Sequence, residues 1–428
     1  MVELAFRQNF YPLLTANKTI QVSFMSTIES ITLMLALVYS TSLLYWGGKK
    51  WGALVSGTLL LGATVASFFW PLLLILLGAV LVVTALGQSQ PAFANAEGRP
   101  NKIREICQHF FALSMLLVGV QYAINAAMLY AGETPWLIRP DIGDAFLPIA
   151  GGIELKAILT LGLWDQNHPS AVIMLCVVLL TGLICKRAFC GWACPLGLAG
   201  EYFYKLRKRF IPAELLPPAW LDWPLRMVKY LLLAALVYLV ISMPTASLPN
   251  YLTGNYHKVA DLKMAVFFMM PSLIALFGFS IIFALAAWRR QGFCRYICPY
   301  GAMLGIVSFF SPFKIRRDTH HCLIETKGMS CDKCTRACPA NISVHTQKNI
   351  HSDECQACMR CMSACPKKEA LQFSTRNGIK LSARGLMILL FTLMFMVPLF
   401  AYVSGYWHSQ TPQDIKMELI QKLDRIGH

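Results

Sequence analysis

The chain has 428 residues, 56% hydrophobic and only 14% charged, with a mean hydropathy of +0.52. A soluble domain carries about 25% charged residues and a disordered chain is poor in apolar ones, so both classes are excluded. The net charge of +16 fits basic residues gathered at the inner rim of a membrane protein. Nucleic acid is set aside, because no polar segment interleaves basic and aromatic residues. The fifteen cysteines fall mostly in short runs that end in proline, which is metal-ligand spacing rather than a secreted disulfide framework.

In chain order, residues 1–90 form an apolar extension. Ile31–Trp46 is one span, closed by Gly47-Gly48-Lys49-Lys50. Gly52–Gly87 is too long for a single crossing, and Phe69-Trp70-Pro71 offers a break where proline removes a backbone donor. Three spans place Lys49 and Lys50 inside; two would reverse the N-terminus. Residues 91–104 read as a cytoplasmic linker. Ala94-Asn95-Ala96 resembles a signal-peptidase site, but cleavage there would strand Arg99, Lys102 and Arg104 outside.

The core, residues 105–311, and the C-terminal segment, residues 385–428, supply five further spans: Phe110–Ala131, Ala171–Cys185, Tyr230–Ser242, Ala265–Ala287 and Gly385–Ala401. The fold expected is an all-α integral membrane protein of about eight transmembrane helices. After the second of these spans come Lys186, Arg187, Lys205, Arg207, Lys208, Arg209, Arg226 and Lys229, against Glu201, Glu214 and Asp222. Residues 132–168 instead carry Glu133, Asp141, Asp144, Glu154 and Asp165 against Arg139 and Lys156. The positive-inside rule therefore puts both cysteine-rich regions in the cytoplasm. Glu154 and Lys156 are expected at the outer surface.

A hydrophilic insert, residues 312–384, carries a cysteine run that resembles bacterial ferredoxins, which implies a small α+β domain. Its run Cys355-Gln-Ala-Cys358-Met-Arg-Cys361-Met-Ser-Ala-Cys365-Pro366 is C-x2-C-x2-C-x3-C-P. In that spacing three thiolates hold one cubane cluster and the fourth reaches a second. Zinc also takes four thiolates, but usually from separated pairs. An earlier run, Cys331-Asp-Lys-Cys334-Thr-Arg-Ala-Cys338-Pro339, has Gly328 where a first cysteine is expected. Either Cys322 completes it through a longer loop or the site holds a three-iron cluster; the polar loop Leu323–Ser330 favours Cys322. The cross-over then gives Cys322, Cys331, Cys334 and Cys365 to one [4Fe-4S] cluster, and Cys355, Cys358, Cys361 and Cys338 to the other.

Two near repeats stand at span ends: Phe189-Cys190-Gly-Trp-Ala-Cys194-Pro195-Leu-Gly and Phe293-Cys294-Arg-Tyr-Ile-Cys298-Pro299-Tyr-Gly. Repeated motifs of this kind suggest two halves meeting around one site. Cys190, Cys194, Cys294 and Cys298 would hold a third cluster or another metal, or cycle as dithiol and disulfide; the alternative is plain helix-end packing. Cys107, Cys176 and Cys185 read as buried structural thiols. No predicted span carries an interior histidine, so no haem is expected; His168, His257 and His408 fall in outer loops or near the membrane surface.

The two C-x3-C-P motifs, the two-cluster insert and the closing span together resemble the NapH/NosR-type membrane polyferredoxins over residues 105–428. Leu147-Pro-Ile-Ala-Gly, Cys298-Pro-Tyr-Gly-Ala and Ser311-Pro-Phe-Lys-Ile-Arg-Arg resemble the YccM-type electron-transport proteins in particular. The flavin-bearing outer domain of NosR-type proteins is missing, so no covalent flavin is carried over. The resemblance implies electron transfer in a bacterial inner membrane, with quinone or quinol as a partner, by a component of an oxidoreductase system rather than a stand-alone enzyme.

The residues themselves leave three functions open. The first is an iron–sulfur electron-transfer protein whose insert faces the cytoplasm, where Arg316, Arg317, Lys333, Arg336, Lys367 and Lys368 would attract an acidic soluble carrier or respiratory enzyme. The second is a maturation factor that reduces or handles a metal such as copper at the four C-x3-C-P thiols. The third is a membrane redox sensor. A transporter is disfavoured, since the later spans show no buried ionisable residues.

Overall fold

The computed structural model describes residues 100–137, 139–212, 217–367 and 369–426. The N-terminal spans, most of the linker, Glu214 and Lys368 lie outside the described residues. Helix α1, Pro100–Tyr130, begins inside the segment expected to be linker and continues through the first core span. Helices α2, Pro148–Leu161, and α3, Pro169–Cys185, pack as a hairpin. Gly162, at φ +65°, ends α2, and Gly151 lets it approach α3, since a β-carbon there would sit 3.0 Å from the Ala171 carbonyl oxygen. At 17 residues α3 is about 26 Å long.

Short helix α4, Ala188–Trp192, leads into α5, Pro195–Phe210. Helix α6, Ala219–Ser242, is longer than the span expected there and turns much of its surface outward: Leu231, Tyr238 and Ile241 are all exposed. The expected span Ala265–Ala287 is broken. It forms α7, Ala260–Met269, and α8, Leu273–Trp288, bent by 77°. Met270-Pro271-Ser272 explains the break. Proline cannot donate to the preceding turn, and the Ser272 hydroxyl accepts from Ala275 N at 3.2 Å, capping a new helix. Among the described residues three helices are long and apolar enough to cross a membrane, or four if the bent pair is one span.

Helices α9, Gly292–Tyr296, and α10, Pro299–Val307, repeat the α4–α5 arrangement. The insert contains a two-stranded antiparallel sheet, β1 Lys314–Arg317 against β2 Leu371–Ser374, with Ile315 opposite Phe373. The chain then enters α11, Ala383–Phe391, passes through a π-helical turn at Thr392–Met396 and continues as α12, Val397–Val403. Pro398, which has no N–H for the turn before it, accounts for the wider turn. A final helix, α13, Gln413–Ile420, returns to pack on α1. Insert residues Ile315, Ile342, Val344, Ile350 and Phe373 belong to one buried cluster with Phe110, Val172, Leu386 and Met387 of the helices, so the insert shares the core of the bundle.

Three expectations are corrected here. Glu154 is fully buried rather than at the outer surface, and His168 and His257 are buried with it. Buried ionisable groups do occur near the long helices, Asp144, Asp165 and Asp261 among them, because partners distant in sequence neutralise or bond them. Cys176 is exposed on α3, whereas Cys107 and Cys185 are buried.

Candidate functional site: the cysteine centres

The two C-x3-C-P repeats fold alike. In each, one short helical turn closes on a phenylalanine carbonyl: Ala193 N and Cys194 N donate to Phe189 O, both at 2.9 Å, and Ile297 N and Cys298 N donate to Phe293 O at 3.0 and 3.1 Å. Pro195 and Pro299 then open α5 and α10 at the first helical position, where a missing N–H costs nothing. The motif glycine has a steric reason. A β-carbon at Gly197 would lie 2.6 Å from Cys190 O, and one at Gly301 would lie 2.8 Å from Cys294 O. Only glycine lets the new helix rest on the carbonyl of the first cysteine.

This arrangement brings the four sulfurs together. Cys294 is surrounded by Cys298, Cys194 and Cys190, and Cys298 in turn lies by Cys190. Burial pushes the Cys194 thiol up to about 12, and neighbouring Cys190 and Cys298 add to it; burial takes Cys298 to about 11. Helix N-termini oppose this. Gly301 N donates to Cys298 Sγ at 3.4 Å, and the N–H groups of Leu196 and Gly197 face Cys194. Buried Arg187 stands beside Cys190, Cys294 and Cys298, its Nη2 donating to Cys294 O at 3.2 Å. Four sulfurs with helix-end donors and a cation suit an anionic thiolate-ligated centre.

The insert sulfurs form two further groups. Cys365 lies by Cys322 and Cys331, and Cys334 by Cys365 and Cys331. Cys361 is surrounded by Cys358, Cys355 and Cys338, with Cys334 next. Burial raises the Cys338 thiol to about 12, Cys358 and Cys355 adding to it. Gly328, where a first cysteine is expected, has φ +62° and ends the short helix Leu323–Lys327. That left-handed position suits glycine, and the helix starts from Cys322, whose Sγ accepts from Arg317 Nη1 at 3.4 Å. Ala357 and Met359 also adopt positive φ, +48° and +55°. Such strain in non-glycine residues marks a backbone wrapped to aim its side chains inward. Cys338, Cys355, Cys358 and Cys361 line a small, mostly apolar cavity walled by Ile315, Ile342, Val344, Ile350 and Met359, with Glu354 and Gln356 also in its lining.

The membrane-end repeats and the insert are in direct contact. A β-carbon at Gly191 would lie 2.7 Å from Gln356 O and 3.5 Å from Cys358 Cβ, and Trp192 Nε1 donates to Ala357 O at 3.0 Å. Lys186 Nζ donates to Ile350 O and Ser352 O at 2.9 and 3.0 Å. Glu354 accepts from Arg187 at 3.2 Å and Lys229 at 2.5 Å, while Asp353 accepts from Tyr230 at 2.5 Å and Arg226 at 3.4 Å. Glu201 pairs with Arg360 and Arg104. Several basic residues that the sequence reading counted only for topology, Lys186, Arg187 and Lys229 above all, are buried clamps on the insert. Arg316 and Arg317 also serve inside the insert, Arg316 on Asn349 and Ser374 and Arg317 on Cys322; Lys333, Arg336 and Lys367 stay exposed. Sequence reading missed Glu201, Asp353 and Glu354. Its available signal was the acidic pair immediately before Cys355 in a basic chain.

Apolar outward-facing helices joined to converging cysteines define a membrane iron–sulfur protein. A family model described as a 4Fe-4S binding domain matches residues 167–214 and 269–318, one repeat in each, and a 4Fe-4S dicluster domain matches 314–366. YccM of Escherichia coli, whose name assigns it to electron transport, is 34% identical over 330 residues, covering 74% of this chain and 91% of that protein. The ferredoxin-type protein NapH of Escherichia coli is 25% identical over 64% of this chain and 88% of its own length. The regulatory protein NosR of Pseudomonas aeruginosa is 25% identical over 41% of this chain and 23% of its own. No solved structure matches. The chain belongs to the NapH/NosR-type membrane polyferredoxins, close to YccM.

Proposed function

We propose that this protein carries electrons between the quinone pool and a redox partner, from a multi-pass position in a bacterial inner membrane with the insert facing the cytoplasm. Its iron–sulfur centres would be held by Cys322, Cys331, Cys334 and Cys365; by Cys355, Cys358, Cys361 and Cys338; and, as a third [4Fe-4S] site, by Cys190, Cys194, Cys294 and Cys298. Clusters so bound supply one-electron chemistry, which adapts a two-electron quinol to one-electron carriers. The observation that carries the reading is the continuity of the sulfurs. Gly191, beside Cys190, rests against Cys358, and Cys361 neighbours Cys334.

The chain's own residues tune this row. Arg187 and the helix ends at Pro195 and Pro299 place positive charge beside the membrane-end sulfurs, and mostly apolar walls line the inner insert site. Exposed Lys333, Arg336 and Lys367 present a basic surface to an acidic carrier. The test is iron and acid-labile sulfide per chain, with EPR of the reduced protein, on wild type and a Cys190/Cys194/Cys294/Cys298→Ser variant. About twelve irons falling to about eight is the expected result. About eight in both would leave the four thiols to metal handling or dithiol chemistry, the maturation-factor reading. No iron in anaerobic preparations would remove the electron-transfer reading altogether.

A further inference from the structure

A second polar centre lies at the other end of α3 from the cysteines. Its members come from residues far apart in sequence, and all are buried: Glu154 on α2, Asp165 and His168 in the turn before α3, His257 in the segment before α7, and Asp144 and Asp261 beside them. They divide into two groups with different charge balance. In the first, Arg139 pairs with the acids directly, at 2.5 Å from Asp144, 2.6 Å from Asp141 and 2.7 Å from Asp261, although Asp261 Oδ1 has no hydrogen-bond partner. Lys416 adds a contact to Asp261 at 3.5 Å. A guanidinium occupies the place an ion would take, so this group needs none.

The second group has no such cation. His257 Nε2 lies 2.9 Å from Asp165 Oδ2 and 3.9 Å from Glu154 Oε1. Asp165 also accepts from His168 N at 2.7 Å and Asn167 N at 3.2 Å, bonds that favour its anionic form. Glu154 Oε2 accepts from Val172 N at 3.2 Å, the Glu154 carboxyl lies beside that of Asp165, and Glu154 Oε1 is buried with no hydrogen-bond partner of good geometry. Among the described residues neither carboxylate pairs with a lysine or arginine. Around this region Asp144, Glu154, Asp165 and Asp261 are buried and Asp141 is half-buried; Arg139 and Lys416 are the fixed cations, His168 lies 3.2 Å from Asp144 and His408 2.7 Å from Asp141, and none of these reaches Glu154 or Asp165 in an ion pair. Uncompensated charge at such a depth is costly.

We propose that Glu154, Asp165 and His257 bind one divalent first-row metal ion, separate from the iron–sulfur centres. The three donor atoms lie within 4.8 Å of one another. One imidazole nitrogen with two carboxylate oxygens suits zinc, manganese or ferrous iron rather than the soft ions that thiolates select. Three protein donors leave a coordination position for water or a further ligand. The ion supplies the missing positive charge and ties α2, the entry to α3 and the segment before α7 at one point.

The test uses full-length protein with its clusters, prepared anaerobically and dialysed against micromolar Zn2+. Zinc, iron and acid-labile sulfide are counted per chain, because cubane iron equals sulfide and a mononuclear iron appears as an excess over it. Wild type should hold one such non-cluster ion per chain, and Glu154→Gln and His257→Ala should bind it at least tenfold more weakly with sulfide unchanged. His408→Ala, outside the donor set, should keep it. If His257→Ala loses sulfide through misfolding, the near-isosteric Glu154→Gln decides. Wild type without a stoichiometric non-cluster ion overturns the proposal and leaves a proton shared by Glu154 and Asp165. An ion bound equally by wild type and Glu154→Gln overturns it as well.

Discussion

The two ends of α3 hold charge in opposite ways. At Cys185 the chain turns directly into a short motif, and the four sulfurs Cys190, Cys194, Cys294 and Cys298 are placed by backbone: a phenylalanine carbonyl, a proline, a glycine and a helix N-terminus. At Pro169 charges are placed by side chains from distant segments, Arg139 reaching Asp261 and His257 reaching Asp165. A centre built from local motif tolerates change in its surroundings but not in its own few residues. A centre built from distant pairs responds to each partner according to whether a counter-charge remains.

The largest predicted effect tests that contrast with two glutamates. Glu354→Ala removes the acid that bonds both Arg187 and Lys229, leaving buried cations with fewer partners. Stripping one side of a buried ion pair costs about 3–5 kcal/mol. The insert should become sensitive to limited proteolysis and lose iron. Glu154→Ala in ion-free protein removes an uncompensated carboxyl and should cost less than about 1 kcal/mol by comparison. Equal losses in thermal unfolding would mean that Glu154 has a cationic partner when the protein is in a bilayer.

Next come the motif glycines. Gly197→Ala and Gly301→Ala each put a methyl against a carbonyl oxygen, at 2.6 and 2.8 Å, with backbone on both sides of the clash. Overpacking of this kind costs about 1–3 kcal/mol, and both variants should lose membrane-end iron while keeping that of the insert. A loss in only one would show that the repeats, alike in hydrogen bonding, do not contribute equally. Gly328→Ala is milder, because its surroundings are open and only the left-handed backbone resists; about 1 kcal/mol is expected.

A pH series separates the two ends without mutation. Burial raises Glu354, but Arg187 and then Lys229 outweigh it and hold the carboxyl below its usual value. Asp353 is lowered likewise against burial, by Tyr230, Lys229 and Arg226. A depressed carboxylate contributes stability that is complete above its ordinary value, here 4.5 for Glu354 and 3.8 for Asp353, and is lost as pH falls through the folded-state value. Hydrogen-exchange protection in the insert–helix contact, corrected for the intrinsic rate at each pH, should therefore be flat from pH 7 to about 5 and fall only below the usual carboxylate range. A fall already near pH 6 would point to histidine, and so away from Asp353 and Glu354.

What the sequence disclosed follows the same division. Cysteine spacing carries its geometry within a few residues, so the insert runs and the two repeats were legible in the sequence, whereas Cys322, nine residues before Cys331, left two readings open. Pro271-Ser272 also carried the signal for the broken helix, but hydropathy averaged across it. The Glu154, Asp165 and His257 grouping had no local signature, because His257 lies about ninety residues beyond Asp165. The basic residues carry two roles at once: charge counts report topology, while Lys186 also holds the Ile350 carbonyl and Arg187 and Lys229 hold Glu354 as buried clamps.

The smallest predicted effect concerns the cysteines outside every group. Cys107 and Cys185 are buried among apolar neighbours in the main cluster, and Cys176 is exposed on α3. None of the three lies in the converging sets, so a thiol there packs as a small apolar side chain. Cys176→Ala should fall within about 0.5 kcal/mol of wild type, and each buried change should cost about 1 kcal/mol. The triple alanine variant should retain the full iron and sulfide content. A loss of about four irons would instead show that a centre draws a ligand from α1 or α3. That result would shift the membrane-end site from a purely local motif toward the distant-pair construction of the opposite end.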